Sequence, residues 1–83
     1  MRPGIETLDL HGLTTQAAMI QINYMITKAS KNGAYRLRLI HGFHSGTQLK
    51  AMIYQNYPGR NPKVKRVEPG ANPGETELVL REY

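Results

Sequence analysis

The 83-residue sequence has no cysteine, no tryptophan, a single phenylalanine and only six acidic residues. Each shortage removes a class of explanation. Without cysteine there is neither a disulfide to staple a small fold nor a thiolate to hold zinc, so stability has to come from a packed core. That core is thin, because a domain of this size buries only about 60–65% of its unfolded surface. The length allows one domain, residues 1–83. No apolar run approaches the ~20 residues of a membrane span, and the opening MRPGIETLDL has no apolar signal segment. The chain therefore reads as a soluble, cytoplasmic protein with no membrane partner. The shortage of acid sets 11 Lys and Arg against six Asp and Glu, a formal charge of +5. Such an excess suits DNA, RNA, a ribosome or anionic lipid, and the plainer alternative is charge kept for solubility.

What is present is a periodic pattern that changes period. Thr7 to His11 alternates polar and apolar residues, as a strand with one buried face does. Gly12 breaks it, and Thr14 or Thr15 can cap a helix. In that helix Ala18, Ile22, Met25 and Ala29, with Met19 and Ile26 beside them, form one apolar stripe opposite Gln21, Lys28 and Lys31. Asn32-Gly33 stops it. Tyr35 to His41 alternates again. Ser45 or Thr47 opens a second helix with Leu49, Met52 and Ile53 inward, ending at Tyr57-Pro58-Gly59. Val64–Glu68 and Glu77–Arg81 read as two further strands around the turn Pro69–Gly74. The order is β-α-β-α-β-β. Two right-handed crossovers place both helices on one face of a four-stranded mixed sheet, a two-layer α/β sandwich whose last strand is antiparallel. Leu8, Leu10, Leu37, Leu39, Leu78 and Leu80 then face the helices. Asp9, His11, Arg36, Arg38 and Arg81 belong to the other face or its rim.

Strands one and two both run into helices, so the two His-Gly pairs, His11-Gly12 and His41-Gly42, share the carboxyl edge of the sheet, where ligands of open α/β sheets bind. Glycine permits close backbone approach, and a helix N-terminus presents N–H groups to an anion. A His-Gly pair at a strand end is also an ordinary turn. HGFHSGT has no lysine after its second glycine and is not an NTP-binding loop. Asp9, between leucines on a strand, needs a partner. It has two uses: a salt bridge to Arg36 or Arg38, or orientation of an attacking group while His11 serves as acid or base. With His11 it could also hold a hydrated divalent ion such as Mg²⁺, whereas three histidines and no cysteine argue against a structural zinc. Phe43 can stack on a base or fold onto the second helix. Arg36, Arg38 and Lys65, with Lys63 and Arg66, are candidate phosphate contacts.

Leu8-Asp9-Leu10-His11-Gly12, then Leu39-Ile40-His41-Gly42, then the closing Val64–Pro69 and Gly74–Leu80 segments resemble the Smr (small MutS-related) domain along nearly the whole chain, which puts the domain core at about residues 6–81. The first motif matches that family's LDLHG without change, and the second matches the start of its HGxG. There the family usually has glycine two residues after the pair, and this chain has His44, with Gly46 later. The resemblance implies a fold similar to the C-terminal domain of bacterial translation initiation factor three. It also implies nucleic-acid binding with DNA nicking or RNA cleavage, including on ribosomes. Carried over to matching positions, it makes Asp9 and His11, with Gly12 beside them, the catalytic candidates, and His41 and Gly42 substrate contacts. The departing loop Phe43, His44, Ser45 and Gly46 is a substrate-binding candidate on its own residues, as a wrap for a phosphate. A binding module of the same shape without turnover, and a protein adaptor using the open sheet face, are the alternatives.

Overall fold

The computed structural model describes residues 4–42 and 47–81. The elements run β1 (Ile5–Asp9), α1 (Thr15–Lys31), β2 (Arg36–Ile40), α2 (Thr47–Asn56), β3 (Arg66–Pro69) and β4 (Glu75–Val79). The expected α/β order βαβαββ is the one observed. The sheet order is β1-β2-β4-β3: β1 and β2 are parallel, and β4 lies antiparallel between β2 and β3.

Strand boundaries shift by one or two residues from the sequence reading, for local reasons. β1 ends at Asp9 because the His11 N–H turns back to the Asp9 carboxylate. β4 begins at Glu75, immediately after a turn closed by Asn72, whose side chain accepts from the Gly74 N–H and whose carbonyl accepts from the Glu75 N–H.

Thr14 is the cap of α1; its hydroxyl accepts from the Ala17 N–H at 3.1 Å. Ala18, Ile22, Ile26 and Ala29 of α1 and Leu49, Met52 and Ile53 of α2 are buried in one cluster with Leu10, Leu37, Leu39, Leu78 and Leu80 of the sheet. Both helices therefore cover the same sheet face. Each of these fully buried leucines and isoleucines is worth about 1.5–3 kcal/mol relative to exposure. Beyond α2, Tyr57 is buried and donates from its hydroxyl to Asn23 Oδ1 on α1 at 2.8 Å; burial pushes its phenol up to about 12.

The opposite sheet face carries charge. Thr7, Arg38, Glu77 and Glu68 stand side by side across the four strands. Glu68 and Glu77 are direct cross-strand neighbours, an arrangement that repels by itself. Arg36 resolves it by placing Nη1 at 2.9 Å from Glu68 and 2.7 Å from Glu77. Arg38 pairs with Glu77 at 3.0 Å and reaches Glu75, and Arg66 pairs with Glu68. Hydrogen bonds from Arg66 and Arg36 hold the Glu68 carboxyl below its usual range.

Candidate nucleic-acid interface at the two His-Gly turns

Parallel pairing of β1 with β2 is what brings the two turns together. The ladder continues past the end of β1 through the Leu10 N–H, which donates to the Ile40 carbonyl at 2.7 Å. Gly12 and Gly42 follow with φ of +80° and +89°, a region that side chains other than glycine enter only with strain. A methyl group on Gly42 would stand 3.9 Å from the His11 Cβ, so the two turns lie side by side with room for little more than that methyl between them.

Asp9 and His11 form a dyad on this edge. Asp9 Oδ1 accepts from the His11 backbone N–H at 3.1 Å and lies 2.6 Å from His11 Nδ1. These hydrogen bonds hold the Asp9 carboxyl below its ordinary value, and an ionised carboxylate can only accept. The ring proton is therefore on Nδ1, which leaves Nε2 on the outer side of the ring. Both side chains are open to solvent, 72% for His11 and 54% for Asp9. Of the two uses foreseen for Asp9, the salt bridge to a strand-two arginine is not made. Arg36 and Arg38 are taken by Glu77, and Asp9 turns to His11.

His41 has a different place. Its position directly after β2 keeps phase with Leu37 and Leu39, so the ring points under the helices and the residue is 2% exposed. Nδ1 lies 3.1 Å from the Gly42 carbonyl and Nε2 lies 2.8 Å from Thr76 Oγ1. The carbonyl can only accept, which puts the proton on Nδ1; in the neutral ring Nε2 accepts from the Thr76 hydroxyl. His41 thus braces the second turn from inside, and among the described residues the part of that turn open to solvent is Gly42. The brace continues outward, since the His41 and Gly42 N–H groups both donate to the Gly74 carbonyl at 3.0 Å.

Thr76 and Gly74 were not among the residues singled out from sequence. A signal for Thr76 existed. It shares phase with Leu78 and Leu80, and a hydroxyl in a row of buried leucines requires a buried partner.

Lys65 is exposed beside β3, on the far edge of the sheet from the dyad. Phe43, His44, Ser45 and Gly46 lie outside the described residues. Asp9 Oδ1 is already occupied by two donors, and among the described residues no three His, Asp or Glu side chains gather to hold a metal ion. The dyad would offer a hydrated divalent ion the second Asp9 carboxylate oxygen, with water or substrate phosphate filling the other positions. Also among the described residues, no helix is long and apolar enough to cross a membrane.

The model of the Smr domain family matches residues 8–76. The crystal structure of the Smr domain of Thermus thermophilus MutS2 is similar with a TM-score of 0.81 and 27% sequence identity, over 93% of this chain and 99% of that one. No curated protein sequence matches the chain. With the family model covering most of the sequence, including both His-Gly turns, the chain belongs to the Smr domain family.

Proposed function

We propose that this domain binds nucleic acid and cleaves its phosphodiester backbone, with Asp9 and His11 as the reacting pair. The observation that carries the reading is the 2.6 Å Asp9–His11 hydrogen bond on a solvent-open edge, against a second glycine turn. A carboxylate that accepts from Nδ1 fixes the ring's tautomer and stabilises the imidazolium that forms when Nε2 takes a proton. Nε2 then removes the proton from the attacking hydroxyl, which is a water or, in RNA, the neighbouring 2′-hydroxyl. The resulting imidazolium returns a proton to the leaving oxygen, so the ring ends the cycle neutral. Gly12 and Gly42 have no side chain to hold the phosphate away, and α1 begins three residues after Gly12, with the positive end of its dipole toward the turn.

The test is incubation of the purified domain with supercoiled plasmid and with RNA, each with and without EDTA. Conversion of plasmid to open circles, or RNA fragments, supports the nuclease. Binding of both nucleic acids without any cleavage favours the non-catalytic module, for which the open dyad serves as a contact only.

A further inference from the structure

The charge on this domain is segregated in a way that moves the binding surface off the sheet. On the open sheet face three arginines, Arg36, Arg38 and Arg66, meet three glutamates, Glu68, Glu75 and Glu77, and cancel. The formal +5 of the chain therefore resides elsewhere. Residues 15–31 and 47–65, which span both helices and the connection to β3, contain no Asp or Glu. They carry Lys28, Lys31, Lys50, Arg60, Lys63 and Lys65. Among the described residues no lysine is held in an ion pair.

The outer row of α1 adds a second observation. Opposite its buried stripe, Ile20 is 70% exposed and Tyr24 is 66% exposed, one turn apart, and Lys28 and Lys31 follow on the next turns. Side chains four apart on a helix are neighbours, so Tyr24 and Lys28 share one patch. On α2, Lys50 and the partly exposed Tyr54 repeat the pairing of lysine and tyrosine one turn apart. An exposed tyrosine beside lysines, on a surface without carboxylates, complements a ligand with flat apolar faces and regularly spaced negative charge. Unpaired nucleotides are such a ligand, because their bases are free to stack on an aromatic ring while phosphates meet ammonium groups. In duplexes the bases are stacked on each other and Tyr24 has nothing to take.

We infer that the outer row of α1, from Ile20 through Tyr24 to Lys31, is a track for single-stranded nucleic acid that leads to the dyad, an inference that rests on the nucleic-acid reading above. α1 starts at the His11-Gly12 turn, and a rise of about 1.5 Å per residue puts Tyr24 about 13 Å and Lys31 about 24 Å along the axis from Thr15. A strand seated at His11 continues along this row, with a base on Tyr24 and phosphates at Lys28 and Lys31.

The experiment is fluorescence anisotropy with labelled oligouridylate and oligothymidylate, and with a blunt duplex, on the parent, Tyr24→Ala, Tyr24→Phe and the double variant Lys28→Gln, Lys31→Gln. Tyr24→Ala should weaken single-strand binding by about five- to a hundredfold and leave duplex binding unchanged, while Tyr24→Phe retains the parental affinity. The lysine double variant should flatten the log–log salt slope by about 0.7 for each phosphate that is no longer neutralised. Parental single-strand affinity in Tyr24→Ala overturns the track and leaves the nucleic-acid reading standing. If that variant instead loses a self-association seen for the parent, the row is a protein contact. Failure of the parent to bind any of the three probes overturns both readings.

Discussion

Replacing Thr76 with valine tests whether the second turn is held from beneath, because it removes a hydroxyl and almost nothing else. Thr76 is fully buried, and its Oγ1 is the 2.8 Å partner of His41 Nε2. In the variant that ring nitrogen keeps its burial and loses its partner. An orphaned buried polar group costs about 1–3 kcal/mol. A domain of 83 residues has a total stability of only about 4–12 kcal/mol at the usual 0.05–0.15 kcal/mol per residue. In a domain of this size each kcal/mol moves the thermal midpoint by about 4–8 °C, so a 2 kcal/mol loss lowers it by roughly 8–16 °C. Circular dichroism melts of Thr76→Val measure this directly. The double variant Thr76→Val, His41→Leu supplies the control. The double variant leaves no orphaned Nε2, its one remaining loss being the Nδ1 donor of the Gly42 carbonyl, and part of the decrease in midpoint should be recovered. A Thr76→Val protein that melts with the parent, or a double variant less stable than the two single losses combined, would refute the claim that this hydrogen bond braces the turn.

Three further outcomes follow from the same geometry. Gly42→Ala has room for its methyl group but forces an alanine to φ near +89°, so it should lose about 1–2 kcal/mol in denaturant titrations. Glu77→Gln takes the shared carboxylate away from Arg36 and Arg38, which are themselves partly solvated. The expected loss is about 1–2 kcal/mol by the same titration, less than for a fully buried pair. Asp9 and Glu68 both have lowered folded-state pKa values, so their contribution is present above the ordinary carboxylate range and is lost as pH falls through those lowered values. Melting points measured in steps from neutral pH down should decline below about pH 4, and a flat profile there would contradict the two hydrogen-bonded carboxylates.

The parts of this fold that were legible in the sequence are those written in a period. The leucines of β2 and β4 and the Ala18-Ile22-Ala29 stripe of α1 each identify a buried face, and the change of period locates the turns. The proximity of the two His-Gly turns was legible too, because a right-handed crossover leaves two parallel strands with their carboxyl ends together. Long-range choices among charged residues were not. Arg36 and Arg38 had Asp9 and Glu77 as available partners, and only the position of β4 between β2 and β3 decides for Glu77. His41 illustrates the same limit, since its motif marks it as a site residue but its phase buries the ring. Ile20 and Tyr24 stand outside the apolar stripe of α1, so their exposure was implicit in its period.

The central claim is that His11, oriented by Asp9, moves the proton in backbone cleavage. The measurement that tests it most directly is a pair of single-turnover rates and affinities on the same RNA and plasmid substrates, for the parent, Asp9→Ala and His11→Ala, with folding checked by circular dichroism. A general acid–base group supplies about 10²–10⁴-fold in rate, whereas binding is spread over many phosphate contacts. The account predicts that each variant loses cleavage by at least about a hundredfold while affinity falls only severalfold. A folded His11→Ala protein that cleaves at the parental rate would contradict it.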